Sequence, residues 1–352
     1  MAAVELTICG AENITYEMHI GPGLLEEALP AFLDRHGFSR AAVITNTTLA
    51  PLYGDALAAR LRGGFVLTMP DGEPFKTLDT VRELYDGLIA HGADRSTPVV
   101  ALGGGVVGDV AGYAADSFLR GVPLIQAPTS LLAMVDSSIG GKVGVDLPQG
   151  KNLVGAFKDP IAIFADTDVL ATLPEDELVC GLAEVVKAGF INDAALLDQL
   201  EEHGPQPIDQ AIRRAAAVKI GIVEADRLEQ NIRAYLNLGH TFGHALETVS
   251  GYSWKHGQAV ALGLVAAARL SESLGLAAGG LSDRAERILK ALGLPVRFKD
   301  YSPEDIWAAM GTDKKRQGGS IRFVLLEAAA KPILKSDVPQ KAVLDVLRSL
   351  RE

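Results

Sequence analysis

The sequence predicts a chain in two parts, an α/β half over residues 1–174 and an all-α half over residues 175–352, with a ligand cleft between them. Three observations predict it. Up to about residue 175, short β-rich apolar runs alternate with helical patterns and glycine turns. That alternation lays strands side by side in a mostly parallel sheet covered by helices. Beyond that point nearly every segment carries helical periodicity. The length of 352 residues suits two domains, and no tandem repeat or low-complexity tract competes with that division.

The elements follow in order. The opening "MAAVELTICG" reads as a strand, and "RAAVIT", "GFVLTMP", "TPVVALG", "VPLIQAP" and "PIAIFAD" read as buried strands. Between them "TLDTVRELYDGLIAHG" and the segment after Gly105 have helical spacing. "LPEDELVCGLAEVVKAGFI" begins the helical half, which closes on "AVLDVLRSLRE". One short exception is "IRFVLL", Ile321 to Leu326, which reads as a strand.

Composition excludes several classes. Hydrophobic residues at 48% and charged residues at 22% allow a sizeable core. No apolar run reaches the ~20 residues of a membrane helix, and the N-terminus is not a basic, apolar leader, so no membrane association is expected. Two cysteines, Cys9 and Cys180, sit far apart in apolar stretches, which argues against a disulfide framework and fits a reducing cytoplasm. A net charge of −11 argues against a nucleic-acid surface. It leaves room for a locally basic pocket that holds a small anion.

Such a pocket has candidates. "VVALGGGVVGDVAGYAA" runs a strand through Gly103, Gly104 and Gly105 into a helix that carries Gly108 and Asp109. Glycines there let backbone approach a pyrophosphate, and the helix start supplies free N–H groups. "MPDGEPFKT" places Glu73 and Lys76 after another strand, where ligands of open α/β sheets bind. "FLRGVPLIQAPTSLLAMVDSSIGGKVGVDLPQGKNLVGAF" reads as a glycine-rich loop with Arg120, Asp136, Lys142, Lys151 and Asn152. Cations converging there suit a phosphate or carboxylate. "SSIGGK" lacks the spacing of a phosphate-binding P-loop.

The helical half adds a metal-like set. "GLAEVVKAGF" puts Glu184 and Lys187 on one apolar helix, where an unpaired carboxylate is costly. "NLGHTFGHALE" spaces His240 and His244 one helical turn apart, so both can point at one spot. With His256 of "WKHGQAV" these give a carboxylate and three imidazoles, and any three would serve a catalytic divalent site. Lys219, Asp226, Glu229 and Arg233 lie just before the histidines.

Taken together, "PDGE", "GGGVVGD", "DSSIGGK", "GKN", "GLAEVVKAG", "LNLGHTFGHALE", "HG" before a helix and "DKK" resemble the 3-dehydroquinate synthase family, from about residue 40 to about residue 330. The resemblance implies a Rossmann-like first domain that binds NAD and a helical second domain that binds metal and substrate. It implies one divalent ion, zinc or cobalt, on Glu184, His240 and His256. NAD would meet Asn46, Glu73, Lys76, Gly104, Gly105, Asp109, Thr129, Ser130, Lys142, Lys151, Thr172 and Glu177. A phosphorylated keto-acid substrate would meet Asp136, Lys142, Asn152, Lys187, Lys219, Glu229, Arg233, Asn237, His244 and a lysine of "DKK", Lys314 or Lys315. Arg120 resembles a residue reaching the neighbouring subunit's site, which implies a homodimer. The implied reaction is a transient oxidation by NAD, β-elimination of phosphate, reduction, ring opening and an intramolecular aldol closure.

The chain departs from the family pattern at four places. "ITNTTL" puts Asn46 and Thr48 where relatives carry Asp-x-Asn facing a ribose, "PTS" replaces "PTT", "HGQAV" replaces "HGEAV", and "EADRLEQ" carries Arg227 where an acid is usual. If the missing Glu supports the metal, Gln258 would weaken metal affinity ~10-fold or more. Other cyclases making inosose, valiolone or gadusol-type rings share the metal and glycine motifs. Arg233, Asn237 and His244 on the carboxylate side favour the dehydroquinate reading over these. A polyol dehydrogenase would release NADH and would not need the Arg120, Lys142, Asn152 and Lys219 cluster. A non-catalytic relative would not need all three sets intact.

Overall fold

The computed structural model describes residues 4–9, 15–316 and 321–352. The chain divides into two compact units, Met1–Pro174 and Glu175–Glu352.

The first unit is built on a seven-stranded sheet. Its strands are β1 (Val4–Cys9), β2 (Thr15–Gly21), β3 (Ala41–Asn46), β4 (Gly64–Met69), β5 (Val99–Gly103), β6 (Leu124–Pro128) and β9 (Ala162–Asp166), in the order β1-β2-β9-β6-β5-β3-β4. Only the β1–β2 pair is antiparallel. Every residue of β3, β5, β6 and β9 is buried. Strands covered on both faces show continuous apolar runs rather than alternation, which is why these four read so clearly. Helices α1 (Leu29–Arg35), α2 (Asp55–Arg60), α3 (Leu78–Ala90) and α4 (Gly105–Ser117) connect them. Val107, Val110, Ala111 and Ala114 of α4 share a core with Ile44, Val99 and Ala101 of the sheet. The chain leaves β3 toward β4 at one edge, and successive strands from β5 onward build toward the other. The switch point therefore lies between β3 and β5, where ligands of open parallel sheets bind beyond the strand C-termini.

The segment read as a glycine-rich loop is partly a hairpin. β7 (Lys142–Leu147) and β8 (Gly150–Phe157) pair antiparallel as a separate two-stranded sheet. Val143, Val145 and Leu147 alternate along β7, but Gly144, Gly150 and Gly155 within the strands hid them, because glycine is depleted in strands.

The second unit comprises α5 (Glu175–Asn192), α6 (Ala194–His203), α7 (Ile208–Ala225), α8 (His240–Val249), α9 (His256–Ser273), α10 (Leu281–Ala291), α11 (Pro303–Arg316) and α12 (Gln340–Leu350). The strand expected at Ile321–Leu326 is present as β10 (Phe323–Ala328), and it pairs with an unanticipated partner, β11 (Lys331–Lys335). Helix α9 is central and touches α5, α8, α10, α12 and β10. It is made of Ala, Gly, Val and Leu along most of its length, and nearly all of them are buried. Its fully buried leucines and valines contribute roughly 1.5–3 kcal/mol each. Among the described residues no helix is long and apolar enough to cross a membrane.

Candidate metal centre and nucleotide-binding edge

Three helices bring the candidate metal ligands together. Glu184 lies in the middle of α5, His240 is the first residue of α8, and His256 is the first residue of α9. Their spacing is set by backbone contacts that only glycine permits. A Cβ on Gly257 would lie 2.2 Å from the carbonyl oxygen of Cys180, and one on Gly263 would lie 2.0 Å from that of Gly239. The first contact joins α9 to α5 one residue from His256, and the second joins α9 to the residue before His240.

Ligand atoms of Glu184, His240 and His256 all lie within 4.8 Å of one another. The Glu184 side chain is 1% exposed, and its Oε2 is paired with the ammonium of Lys187. Its Oε1 faces both imidazoles, 3.7 Å from Nε2 of His240 and 3.4 Å from Nε2 of His256. Among the described residues neither oxygen has a well-aligned hydrogen bond. A buried carboxylate lacking that is one a cation can satisfy, so the donor set fits a divalent metal.

The same contacts set the electrostatics of the metal-free centre. Burial pushes the Glu184 carboxyl up, but the Lys187 ammonium and the adjacent His256 and His240 imidazoles outweigh it and hold it well below the usual carboxylate range. Burial, reinforced by Lys187, pushes His240 down to about 3, so its imidazole is neutral. Burial works against protonation of His256 too, yet the two carboxylates beside its ring, Glu184 and Glu247, carry it up to about 10. His244 is exposed, and its ring stands edge-on to His240 with centroids 5.2 Å apart and planes at 89°.

Glu247 escaped the sequence reading. It accepts a hydrogen bond from Nδ1 of His256 at 3.2 Å. The signal was present, because Glu247 stands three residues after His244 and seven after His240, on the same helical face. Gln258 takes a different place from the one its position suggested. Its Oε1 accepts from the backbone N–H of Lys255 at 3.1 Å and closes the first turn of α9.

In the first unit the switch point collects the nucleotide candidates. Gly104 precedes α4 and Gly105 begins it, with no side chain capping that end. A Cβ on Gly104 would meet Ser130 Oγ at 3.4 Å, and one on Gly105 would meet Ser137 Oγ at 3.2 Å. Thr129 donates its N–H to the carbonyl of Gly103 at 3.0 Å, so "PTS" lies beside the glycine turn. Open N–H groups and bare backbone suit a pyrophosphate.

Lys76 is buried within the first unit. Its buried ammonium donates to Asp109 Oδ2 and to Asn152 Oδ1, both at 2.6 Å. Asn152 adopts a left-handed backbone, φ 54°, which asparagine tolerates better than most residues. Lys151 pairs with Glu73 at 2.8 Å. Asn46, at the end of β3, and Thr48 both donate to Asp71, at 2.7 and 2.8 Å. A carboxylate thus stands beside position 46 although the residue there is neutral.

The remaining candidates are more dispersed. Thr172 shares a 2.6 Å hydrogen bond with Tyr53, and Glu177 is paired with Lys255 at 2.7 Å. Arg120 is exposed and has φ 67°. Asp136 lies in the turn before β7, and exposed Lys142 opens that strand. Lys219 lies on α7, Glu229 has φ 59°, and Asn237 ends a short turn before α8. Arg233 is buried, and its guanidinium donates to the carbonyl of Arg227. Its loop is held by Asp226, which accepts backbone N–H groups from Gln230, Asn231 and Arg233. The side chains of Lys314 and Lys315 lie outside the described residues.

Comparison with known proteins gives a consistent result. Residues 66–180 match the 3-dehydroquinate synthase N-terminal family and residues 181–316 the 3-dehydroquinate synthase C-terminal family. A 3-dehydroquinate synthase of Nitrosomonas europaea is 44% identical over 348 residues, covering 96% of this chain and 94% of that protein. One from Pseudomonas syringae pv. tomato is 47% identical, covering 94% of this chain and 92% of that protein. Among solved structures, 2-deoxy-scyllo-inosose synthase complexed with carbaglucose-6-phosphate, NAD+ and Co2+ superimposes with a TM-score of 0.88 at 28% identity, covering 98% of this chain and 100% of that one. A 2-epi-5-epi-valiolone synthase from Streptomyces hygroscopicus with NAD+ and Zn2+ bound gives 0.87 at 30% identity, covering 97% and 98%.

Proposed function

The chain belongs to the 3-dehydroquinate synthase family, and from that premise we propose that it converts 3-deoxy-D-arabino-heptulosonate 7-phosphate into 3-dehydroquinate and phosphate. One observation carries this reading over another cyclase. Identity is 44–47% with proteins of that name across nearly the whole chain, against 28–30% with the inosose and valiolone synthases.

Glu184 Oε1 and the Nε2 atoms of His240 and His256 would hold zinc or cobalt. Glu73, Lys76, Gly104, Gly105, Asp109, Thr129, Ser130 and Lys151 would hold NAD, with Asn46, Lys142, Thr172 and Glu177 around them. When bound, the cation supplies Lewis acidity to a substrate oxygen, and the nicotinamide supplies a hydride acceptor that is restored within each turnover.

The chain's own groups do the rest. Lys142, Lys219 and Arg233 offer fixed positive charge to the substrate's phosphate and carboxylate, which reconciles an acidic protein with an anionic substrate. His244, exposed one turn after His240, holds or moves a proton at a ring nitrogen. Lys187 keeps Glu184 ionised and is a donor for a substrate hydroxyl. Asp136, Asn152, Glu229, Asn237 and a lysine at Lys314 or Lys315 orient the remaining hydroxyls. Arg120 serves the site of a second copy, so the enzyme acts as a homodimer, in the cytoplasm. Overall, a carbon-bound proton and the phosphate leave, and no net oxidation results.

The test is phosphate release from metal-loaded protein with NAD and the heptulosonate phosphate, with nicotinamide absorbance followed alongside. Phosphate without accumulating NADH is expected. Release only from sedoheptulose 7-phosphate would assign another cyclase, and accumulating NADH a dehydrogenase.

A further inference from the structure

His240 and His256 present the same nitrogen, Nε2, to Glu184 Oε1, and each uses Nδ1 elsewhere. His240 Nδ1 donates to the backbone carbonyl of Leu238 at 3.2 Å, whereas His256 Nδ1 donates to the Glu247 carboxylate at the same distance. The two rings differ in support. The His240 side chain is 12% exposed, but that of His256 is 35% exposed at the first residue of its helix, so packing restrains it less. Glu247 is only 14% exposed and projects from α8, the helix that also carries His240.

We propose that Glu247 is the positioning residue of the metal centre: it fixes the tautomer and ring direction of His256 and makes it the stronger donor of the two imidazoles. This rests on the metal reading above. A carboxylate on the far nitrogen of a ligating histidine raises its basicity and restricts its rotation, and a backbone carbonyl does so less. Gln258 is excluded from the role because its side-chain oxygen is committed to Lys255. One helix thereby governs both histidines, directly through His240 and at one remove through Glu247.

The experiment measures Co2+ binding to wild type, Glu247→Gln and Glu247→Asp by competition with a chelator, together with the Co2+ visible absorption band and the melting temperature without Co2+. For Glu247→Gln the dissociation constant is expected to rise about 10- to 100-fold, with an altered band and an unchanged metal-free melting temperature. Glu247→Asp should recover part of the affinity. Wild-type affinity and spectrum in Glu247→Gln would overturn the proposal. So would two Co2+ bound by wild type and one by the variant, since His244, Glu247 and His256 also have ligand atoms within 4.8 Å. A metal-free melting temperature that falls in step with affinity would make Glu247 a structural tie instead. Wild type that binds no Co2+ at all would overturn the metal reading itself.

Discussion

The carbonyl oxygen of Gly239 lies 2.0 Å from where a Cβ of Gly263 would begin. Gly239 immediately precedes His240 and has φ 81°, so the contact joins the centre of α9 to the origin of a candidate metal ligand. Gly263→Ala forces backbone apart, an overpacking that costs about 1–3 kcal/mol or more. It should lower stability and weaken Co2+ binding together. Gly221→Ala on α7, where a Cβ meets nothing within 4 Å, is the control and should gain roughly 0.5–1 kcal/mol. Urea titrations of both variants beside Co2+ binding check this; a Gly263→Ala protein of native stability and affinity would refute it.

Lys76→Met removes the ammonium between Asp109 and Asn152. The Lys76 side chain is 6% exposed and that of Asp109 21%, so the lost pair is largely buried. Breaking such a pair costs about 3 kcal/mol, because a largely buried carboxylate loses the ammonium that donates to it. NAD affinity by calorimetry should fall while Co2+ binding stays at the wild-type level. Unchanged NAD affinity would remove Lys76 and its partners from the cofactor set.

Lys142→Ala deletes an exposed cation at the start of β7. Its metal binding should remain as in wild type, because the metal ligands lie on other elements. The loss of a charge-assisted contact of about 2–3 kcal/mol to substrate corresponds to roughly 30- to 150-fold in kcat/KM. Steady-state phosphate release measures it, and undiminished turnover would place the substrate elsewhere.

Asp226 titrates below the usual carboxylate range, first because the Arg233 N–H donates to it and then because Gln230 and Asn231 do. Its folded-state value is lower than its unfolded one. The stabilisation is therefore present above the unfolded value and is lost as pH falls through the lowered one. Wild type should exceed Asp226→Asn in stability at neutral pH, and the two should converge in acid. Parallel curves down to the lowest accessible pH would show that the carboxylate's charge contributes nothing to this loop.

Much of this protein was written in its sequence. β3, β5, β6 and β9 are buried on both faces, so their apolar runs announced strands whatever their neighbours. Glu184, His240, His244 and His256 stood out as a set because a carboxylate inside an apolar helix is costly without a partner, and the family resemblance singled out three of the four as ligands. The glycine turn before α4 declared itself by local chemistry. What depended on partners distant in sequence did not. The β7–β8 hairpin is interrupted by glycines, which masked the alternation of Val143, Val145 and Leu147 until pairing with β8 gave it a partner. Lys76 was legible only as a cation on a loop after a strand, and only folding buries it on Asp109 and Asn152. Glu247, rather than Gln258, became the partner of His256, because spacing along one helix tells which side chains share a face but not which face of another helix they meet. That choice belongs to the packing of α9 against α5 and α8, and backbone contacts at Gly257 and Gly263 set it.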